Sequence, residues 1–366
     1  MKVECVKDKF CSAVSKTEKI TGKNMTLPIL SCILIEAKGN FLTLKATNLD
    51  LGIEIKIPAK ILKEGTVAVP GVILNNYLSN LSTNNSLTIE EKEGNLFIFS
   101  LNNKTTIKCF PIDDFPTIPK VKNGKNYKIS SLDFIKGLKS VSYSAALSNI
   151  KPELSSVYVY SKEDSLFFVA TDSFRLAEKK VKLKGDNNFE QILIPFKNTN
   201  DLLKIINDEK ELLDINSTKN QISFEYGNIY IVSRVIDGVF PDYQQIIAKD
   251  FKTEVIVLKQ DLINTLKLSN IFSDNFNQLN IKVSAKEKVL ELKTKNPNIG
   301  ENINKLAAIV SGEEIEINFN HKYIIDCFQS IDSDSVSLSF NGLNKPMVIK
   351  GVSDKTFTYL VMPMNR

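Results

Sequence analysis

Apolar positions recur along the chain in two rhythms. Where they return every three to four residues they predict six helices: Lys7 to Thr21, Gly71 to Leu81, Ser131 to Tyr143, Phe196 to Asp208, Lys259 to Phe272 and Asn320 to Ile331. Val6, Phe10, Ala13, Val14 and Thr17 form one stripe of the first helix, with Lys9, Ser12, Lys16 and Lys19 largely opposite. Phe134, Ile135, Leu138 and Val141 share a face of the third, away from Lys136, and Leu202, Leu203 and Ile206 share a face of the fourth, opposite Lys197 and Lys204. Elsewhere every second residue is apolar, as at Val67 and Val69, Ile107 and Cys109, Val157 and Val159, Ile281 and Val283, Ile315 and Ile317, which predicts strands buried on one face. Lys38-Gly39-Asn40, Glu93-Gly94-Asn95 and Tyr226-Gly227-Asn228 read as hairpin turns between them. Strands outnumber helices, so the fold class is α+β, mostly antiparallel, with helices packed on one side of sheet.

The pattern repeats. Leu42-Thr43-Leu44-Lys45-Ala46-Thr47-Asn48 resembles Leu166-Phe167-Phe168-Val169-Ala170-Thr171-Asp172 and Leu290-Glu291-Leu292-Lys293-Thr294-Lys295-Asn296, and Asn48, Asp172 and Asn296 stand 124 residues apart. Val69-Pro70 and Ile194-Pro195 each precede an apolar helical pattern, 125 residues apart, as do Ile317-Asn318 a further 123 on; Phe115-Pro116 returns as Phe240-Pro241. A shared period of this length predicts three related domains, each an antiparallel sheet with two helices, at 1–124, 125–252 and 253–366. Linkers fall near Pro119–Asn126 and Ala248–Thr253.

Composition narrows the function. With 43% hydrophobic and 24% charged residues the chain has the make-up of an ordinary globular protein. No apolar run approaches the roughly 18 residues that span a bilayer, and MKVECVKDKF has no apolar signal-peptide core, so a cytoplasmic protein with no membrane partner is expected. The cysteines, Cys5, Cys11, Cys32, Cys109 and Cys327, are odd in number and scattered, as reduced, buried thiols are. The net charge of +5 permits an anionic partner without demanding one. Arginine occurs only as Arg175, Arg234 and Arg366, so the basic faces are lysine, mobile point charges suited to phosphate attraction without fixed geometry.

Catalytic chemistry is not legible. His321, the only histidine, stands at a helix start, a capping or surface position, and any Ser-His-Asp or Cys-His mechanism would have to run through it. There is no Cys/His cluster with metal-ligand spacing and no phosphate-binding glycine loop. Asp113-Asp114 and Glu313-Glu314 are sequence neighbours that point to opposite sides of an extended chain. No catalytic residue, metal or cofactor is expected, and a binding module is favoured over an enzyme.

Several segments, in order, resemble one family: Thr26-Leu27-Pro28-Ile29-Leu30; Ala46-Thr47-Asn48-Leu49-Asp50-Leu51-Gly52-Ile53; Ala170-Thr171-Asp172-Ser173-Phe174-Arg175-Leu176-Ala177; Asp237-Gly238-Val239-Phe240-Pro241-Asp242-Tyr243; Phe319-Asn320-His321-Lys322-Tyr323; and Tyr359-Leu360-Val361-Met362-Pro363-Met364. The chain is similar, end to end, to the bacterial DNA sliding clamp, the beta subunit of DNA polymerase III. The resemblance implies a ring of two head-to-tail, three-domain subunits, with helices lining the hole and sheets outside. Such a homodimer encircles duplex DNA without reading its sequence and tethers the replicative polymerase, the clamp loader and repair proteins.

The resemblance also implies sites. Short linear peptides from these clients enter a groove whose positions here are Leu154, Thr171, Ser173, Phe174, Arg175, Leu176, Pro241, Gln245, Ile246, Phe276, Asn320, Tyr323, Pro346, Leu360, Val361, Met362, Pro363 and Met364. Methionines suit an adaptable apolar surface, and Asn320 and Arg175 are expected to hold the peptide backbone. DNA contact is expected from Lys23, Asn24, Lys136, Lys139, Lys151, Lys197 and Lys204, and the subunit joint from Ile107 against Ile271 and Phe272. The chain departs from the family pattern at Ser173-Phe174, where Gly-His is common, at Gln245, where a basic residue is frequent, and at Asn365, which intervenes before Arg366. Two other readings are a nucleic-acid-processing enzyme with a carboxylate metal site, which needs converging acidic residues that no motif supplies, and a β-rich protein-binding scaffold that ignores DNA.

Overall fold

The three repeats share one order of elements, except that a short strand present in the first (Lys60–Lys63) and the third (Ile309–Gly312) has no counterpart among the described residues of the second. The first contains β1 (Lys2–Val6), α1 (Lys7–Glu18), β2 (Cys32–Lys38), β3 (Phe41–Thr47), β4 (Leu51–Pro58), β5 (Lys60–Lys63), β6 (Gly65–Pro70), α2 (Gly71–Asn80), β7 (Ser86–Lys92), β8 (Asn95–Phe99) and β9 (Lys104–Lys108). The second contains β10 (Lys125–Ser130), α3 (Ser131–Val141), β11 (Ser156–Lys162), β12 (Ser165–Thr171), β13 (Arg175–Lys182), β14 (Ile192–Pro195), α4 (Phe196–Ile205), β15 (Leu212–Ser217), β16 (Gln221–Tyr226) and β17 (Ile229–Arg234). The third contains β18 (Thr253–Leu258), α5 (Lys259–Asn270), β19 (Gln278–Ser284), β20 (Val289–Asn296), β21 (Gly300–Ala307), β22 (Ile309–Gly312), β23 (Ile315–Asn320), α6 (His321–Asp326), β24 (Ser335–Phe340), β25 (Met347–Gly351) and β26 (Phe357–Val361). This computed structural model describes every residue except 23–26, 83–85, 184–188, 207–210, 249 and 365–366.

The six helices stand where the apolar stripes predict them, but they stop short of the expected ends. After α3 and α6 the chain tightens into 3-10 turns at Ser142–Ser144 and Cys327–Ser330; Asp208, the expected end of α4, lies outside the described residues. Of the expected stripe, Phe10, Ala13, Val14 and Thr17 are buried, but Val6, which stands at the cap before α1, is exposed. In α3 the approach to the sheet is so close that a Cβ on Gly137 would lie 2.3 Å from the Phe168 ring of β12, so glycine alone fits there. The hairpins close at the predicted turns, with Lys38 opposite Phe41, Lys92 opposite Asn95 and Tyr226 opposite Ile229.

Every repeat builds two antiparallel sheets of four strands with one topology, and the short strands β5 and β22 add a fifth, pairing with β1 and β18. One sheet runs β1-β7-β8-β9, then β10-β15-β16-β17, then β18-β24-β25-β26; the other runs β6-β2-β3-β4, then β14-β11-β12-β13, then β23-β19-β20-β21. Successive repeats are sewn edge to edge. Strand β4 pairs with β17, from Ile55 opposite Ile229 to Leu51 opposite Ser233. Strand β13 pairs with β26, from Arg175 opposite Val361 to Lys179 opposite Phe357. The equivalent strands β9 and β21 each end a sheet.

These seams explain why packing divides the chain into two units, Met1–Leu132 with Lys197–Asp237 and Asp133–Phe196 with Gly238–Arg366, that cut across the repeats. The second repeat gives its β10-β15-β16-β17 sheet to the first unit and its other sheet to the second. A continuous hydrogen-bonded ladder holds more tightly than a linker does. The expected linkers are the last parts of longer connections: β9 ends at Lys108 and β10 begins at Lys125, while β17 ends at Arg234 and β18 begins at Thr253, which is already buried.

Candidate functional site

The recurring Thr-Asx pair has a local cause. Between β12 and β13, Thr171 Oγ1 donates to the Arg175 carbonyl at 2.7 Å, and Asp172 Oδ1 accepts from the Phe174 and Arg175 N–H groups, both at 2.9 Å. These bonds hold Ser173 in the left-handed region, φ 77°. The β3–β4 turn is built alike. Thr47 Oγ1 donates to the Leu51 carbonyl, Asn48 Oδ1 accepts from Asp50 and Leu51, and Leu49 has φ 78°. A side-chain oxygen that mimics a backbone acceptor is what Asn and Asp bring to such turns.

The second of these turns forms one wall of an apolar cavity of about 280 Å³ within the second unit. Leu154, Thr171, Ser173, Phe174, Arg175, Leu176, Pro241, Ile246, Leu360 and Met362, all expected at a binding groove, line it together with Lys151, Glu153 and Tyr243. Met362 follows β26, and its N–H donates to the Phe174 carbonyl at 2.8 Å, tying two walls together. Phe174 stands 60% exposed at the mouth. Burial, and the Glu178 carboxylate beside it, push the Tyr243 phenol well above its usual range, so it stays protonated and donates to Glu178 Oε2 at 2.6 Å. Tyr243 belongs to the recurring Phe-Pro segment, which was the available signal for it; nothing local marks Glu153.

Other expected groove residues have different work. Each nitrogen of the Arg175 guanidinium is engaged: Nε donates to Asp172 at 2.9 Å, while its two terminal nitrogens donate to Asp326 and to the Tyr143 carbonyl, both at 2.6 Å. Its guanidinium lies 4.6 Å from the centre of the Tyr323 ring. These bonds brace the groove wall, which Arg175 also lines. Asn320 is the cap of α6, accepting from the N–H groups of Lys322 and Tyr323. Val361 is wholly buried and Pro346 is buried, so both are core. Gln245 donates to Asp242 at 2.6 Å just outside the cavity. Phe276 is 73% exposed, and Pro363 and Met364 are half-buried; none of these three lines the cavity.

The first seam repeats the framework without the apolar lining. Gly52 replaces Leu176, and Ile118 packs against it, 3.0 Å from where a Cβ would stand. Asp50 and Arg234, 4.0 Å apart, take the places of Phe174 and Met362.

Of the residues expected at DNA, Lys136 and Lys139 are exposed on α3, and Lys197 and Lys204 are exposed on α4. Lys204 pairs with Asp201 at 2.9 Å and Lys136 with Asp332 at 3.7 Å, surface pairs that are weak. Lys151 is instead on the rim of the cavity, and Lys23 and Asn24 lie outside the described residues. At the expected subunit joint, Ile107 is buried in its own sheet, because it alternates with outward-facing Thr106 and Lys108. What β9 exposes is its backbone edge. Ile271 is 61% exposed, and the Phe272 ring lies against Gly300 at the start of β21.

His321 is not a surface cap. It is buried, Nε2 lies 2.7 Å from the Leu266 carbonyl, and Nδ1 has no protein partner. Burial holds its pKa below the ordinary 6.5, against the opposing pull of the Leu266 carbonyl and of Asp326, while Lys322 adds to the depression. The unfolded chain therefore takes up a proton near pH 6.5 before the folded one does, and stability falls as pH drops from there toward the lower folded value. Urea melts at pH 7.5 and 5.5 are expected to show this loss, at most about 1.4 kcal/mol per pH unit in that window. His321→Gln should flatten it; an unchanged pH dependence would mean that His321 does not carry the effect.

Burial pushes the Cys5 thiol up to about 12 and that of Cys109 to about 11, so neither is a nucleophile at neutral pH. Among the described residues no group of three His, Cys, Asp or Glu side chains is placed to hold a metal ion, and no helix is long and apolar enough to cross a membrane.

Three family models tile the chain: the N-terminal domain of the DNA polymerase III beta subunit at residues 1–119, its central domain at 128–242 and its C-terminal domain at 244–365. The chain is 28% identical to the beta sliding clamp of Staphylococcus epidermidis, over 98% of this chain and 97% of that protein. Its identity to the Staphylococcus aureus protein is also 28%, with the same coverage. The structure of the DNA polymerase sliding clamp from Bacillus subtilis superposes with a TM-score of 0.93 at 26% identity, covering 100% of this chain and 99% of that one. The fold also matches the DNA polymerase III beta subunit of Thermotoga maritima, TM-score 0.94, 24% identity, with the same coverage.

Proposed function

Because the chain belongs to the bacterial sliding clamp family, the beta subunit of DNA polymerase III, we infer that it is a non-catalytic processivity factor that encircles duplex DNA and tethers polymerase to it. One observation carries the ring. The repeats join edge to edge at two seams, β4 with β17 and β13 with β26, and the same logic leaves β21 and β9 as matching edges. A second copy supplies each with its partner, head to tail, and closes the assembly. A closed ring is held by topology, so it is retained on circular DNA and released when the circle is cut. Equal loss from intact and cut circles would end this reading, and would favour a scaffold or a processing enzyme.

Inside the ring, Lys136, Lys139, Lys197 and Lys204 face phosphate. Contact of this kind carries no sequence information and releases counterions. Replacing Lys136, Lys197 and Lys204 together by Gln is expected to lower the slope of log affinity against log salt by about two to three. An unchanged slope would mean that these side chains do not meet DNA.

The apolar cavity takes short peptides from the polymerase, the clamp loader and repair proteins, with an early Gln and two later bulky apolar side chains. All of this takes place in the cytoplasm, where the chromosome is copied.

A further inference from the structure

Between α3 and β11 the chain leaves the fold in a loop that closes where the Ala146 N–H donates to the Leu154 carbonyl at 2.9 Å. Its returning arm, at Lys151, Glu153 and Leu154, lines the apolar cavity. Its outward arm carries Leu147 and Ile150, 84% and 88% exposed. The first repeat closes an equivalent loop with Gly22 N–H donating to the Leu30 carbonyl at 2.8 Å, and Pro28 stands 124 residues before Pro152. At the same spacing the counterparts of Leu147 and Ile150 are Lys23 and Thr26. Leucine and isoleucine cannot neutralise phosphate, so Leu147 and Ile150 are not suited to contact with a nucleic-acid backbone.

We propose that the tip formed by Leu147 and Ile150 is a second docking surface for the client whose peptide fills the groove, and that it takes an apolar patch on the folded body of the polymerase. The proposal rests on the groove being the peptide site and extends it. At about 280 Å³ the groove is at the small end for a binding pocket and holds only a short motif. The tip belongs to the same loop as the groove wall, so a client held by its peptide presents its body to Leu147 and Ile150 at high effective concentration. Leu147 and Ile150 stand three residues apart on the loop whose returning arm walls the cavity, so they extend apolar surface outward from that wall.

The test uses the full-length chain with Leu147→Ser and Ile150→Ser. Both positions are exposed, so the variant folds, and its dimer mass and melting temperature check this. Affinity is measured for the purified replicative polymerase of the same cell and for a labelled short peptide with an early Gln and two later bulky apolar residues. Polymerase affinity is expected to fall roughly five- to fifty-fold while peptide affinity stays unchanged. Unchanged affinity for both overturns the proposal. A loss for both assigns the loop to the peptide site itself and overturns a separate surface. Weaker binding to duplex DNA with polymerase affinity intact assigns the tip to DNA and overturns it as well. Should the peptide fail to bind the unaltered chain, the groove reading is what has failed, and the polymerase arm still reports on the loop.

Discussion

Met362→Asp is expected to abolish peptide capture and leave the ring assembled. The Met362 side chain lines the cavity beside Leu360 and Leu176, while its backbone N–H is spent on the Phe174 carbonyl, a bond that any residue but proline makes. A client that buries two bulky apolar side chains gains about 1.5–3 kcal/mol from each, and ordering the free peptide consumes much of that gain, so the net affinity lies near micromolar. A carboxylate on the wall loses its water when the peptide enters, and the Arg175 guanidinium is already committed to Asp172 and Asp326, which leaves only Lys151 on the rim as a cation. The expected loss is at least about a hundredfold, close to 2.7 kcal/mol. Titrating the labelled peptide against both chains measures it, and solution mass reports the ring. Equal affinities would show that clients dock elsewhere.

The elements were legible because their causes are local. Helix stripes, hairpin turns and the Thr-Asx pair each act within a few residues, so Thr171 and Asp172 announced a turn that the structure builds with their own oxygens. Groove residues on that turn, such as Ser173 to Leu176, were legible only through the family resemblance, because nothing in the turn itself marks them for a ligand. What stayed hidden depends on partners distant in sequence. Nothing near Ile55 signals Ile229 as its neighbour, so the seams and the two packing units were out of reach. Ile107 alternates as a strand residue should, but which of its two faces is buried is decided by the sheet around it. His321 and Asn320 both stand at a helix start; the fold buries one and makes the other a cap. Lys151 differs from Lys136 only in context, a cavity rim against a helix face.

A chain with Lys104→Cys and Ile303→Cys is expected to form a covalent dimer under mild oxidation. Ile55, Lys179 and Ile303 stand 124 residues apart on the equivalent strands β4, β13 and β21, and Lys104 stands 125 before Ile229. Ile55 lies opposite Ile229 at the first seam, and Lys179 opposite Phe357 at the second. Carried to the third seam, this register sets Ile303 of one chain opposite Lys104 of the next and Glu301 opposite Thr106. Directly opposed residues in an antiparallel pair have Cα atoms about 4.5–5.5 Å apart, within reach of a disulfide. Moving one cysteine from position 104 to 105 places its side chain on the other face and should prevent the crosslink. The same seam predicts the effect of charge. Phe272→Asp puts a carboxylate beside the start of β21, where pairing would bury it, and an unpaired buried charge costs about 3–5 kcal/mol. The dimer should then dissociate at concentrations where the unaltered chain remains at twice 41.1 kDa. A Phe272→Asp chain that stays dimeric at nanomolar concentration, together with a crosslink that forms equally well from position 105, would move the joint away from β9 and β21.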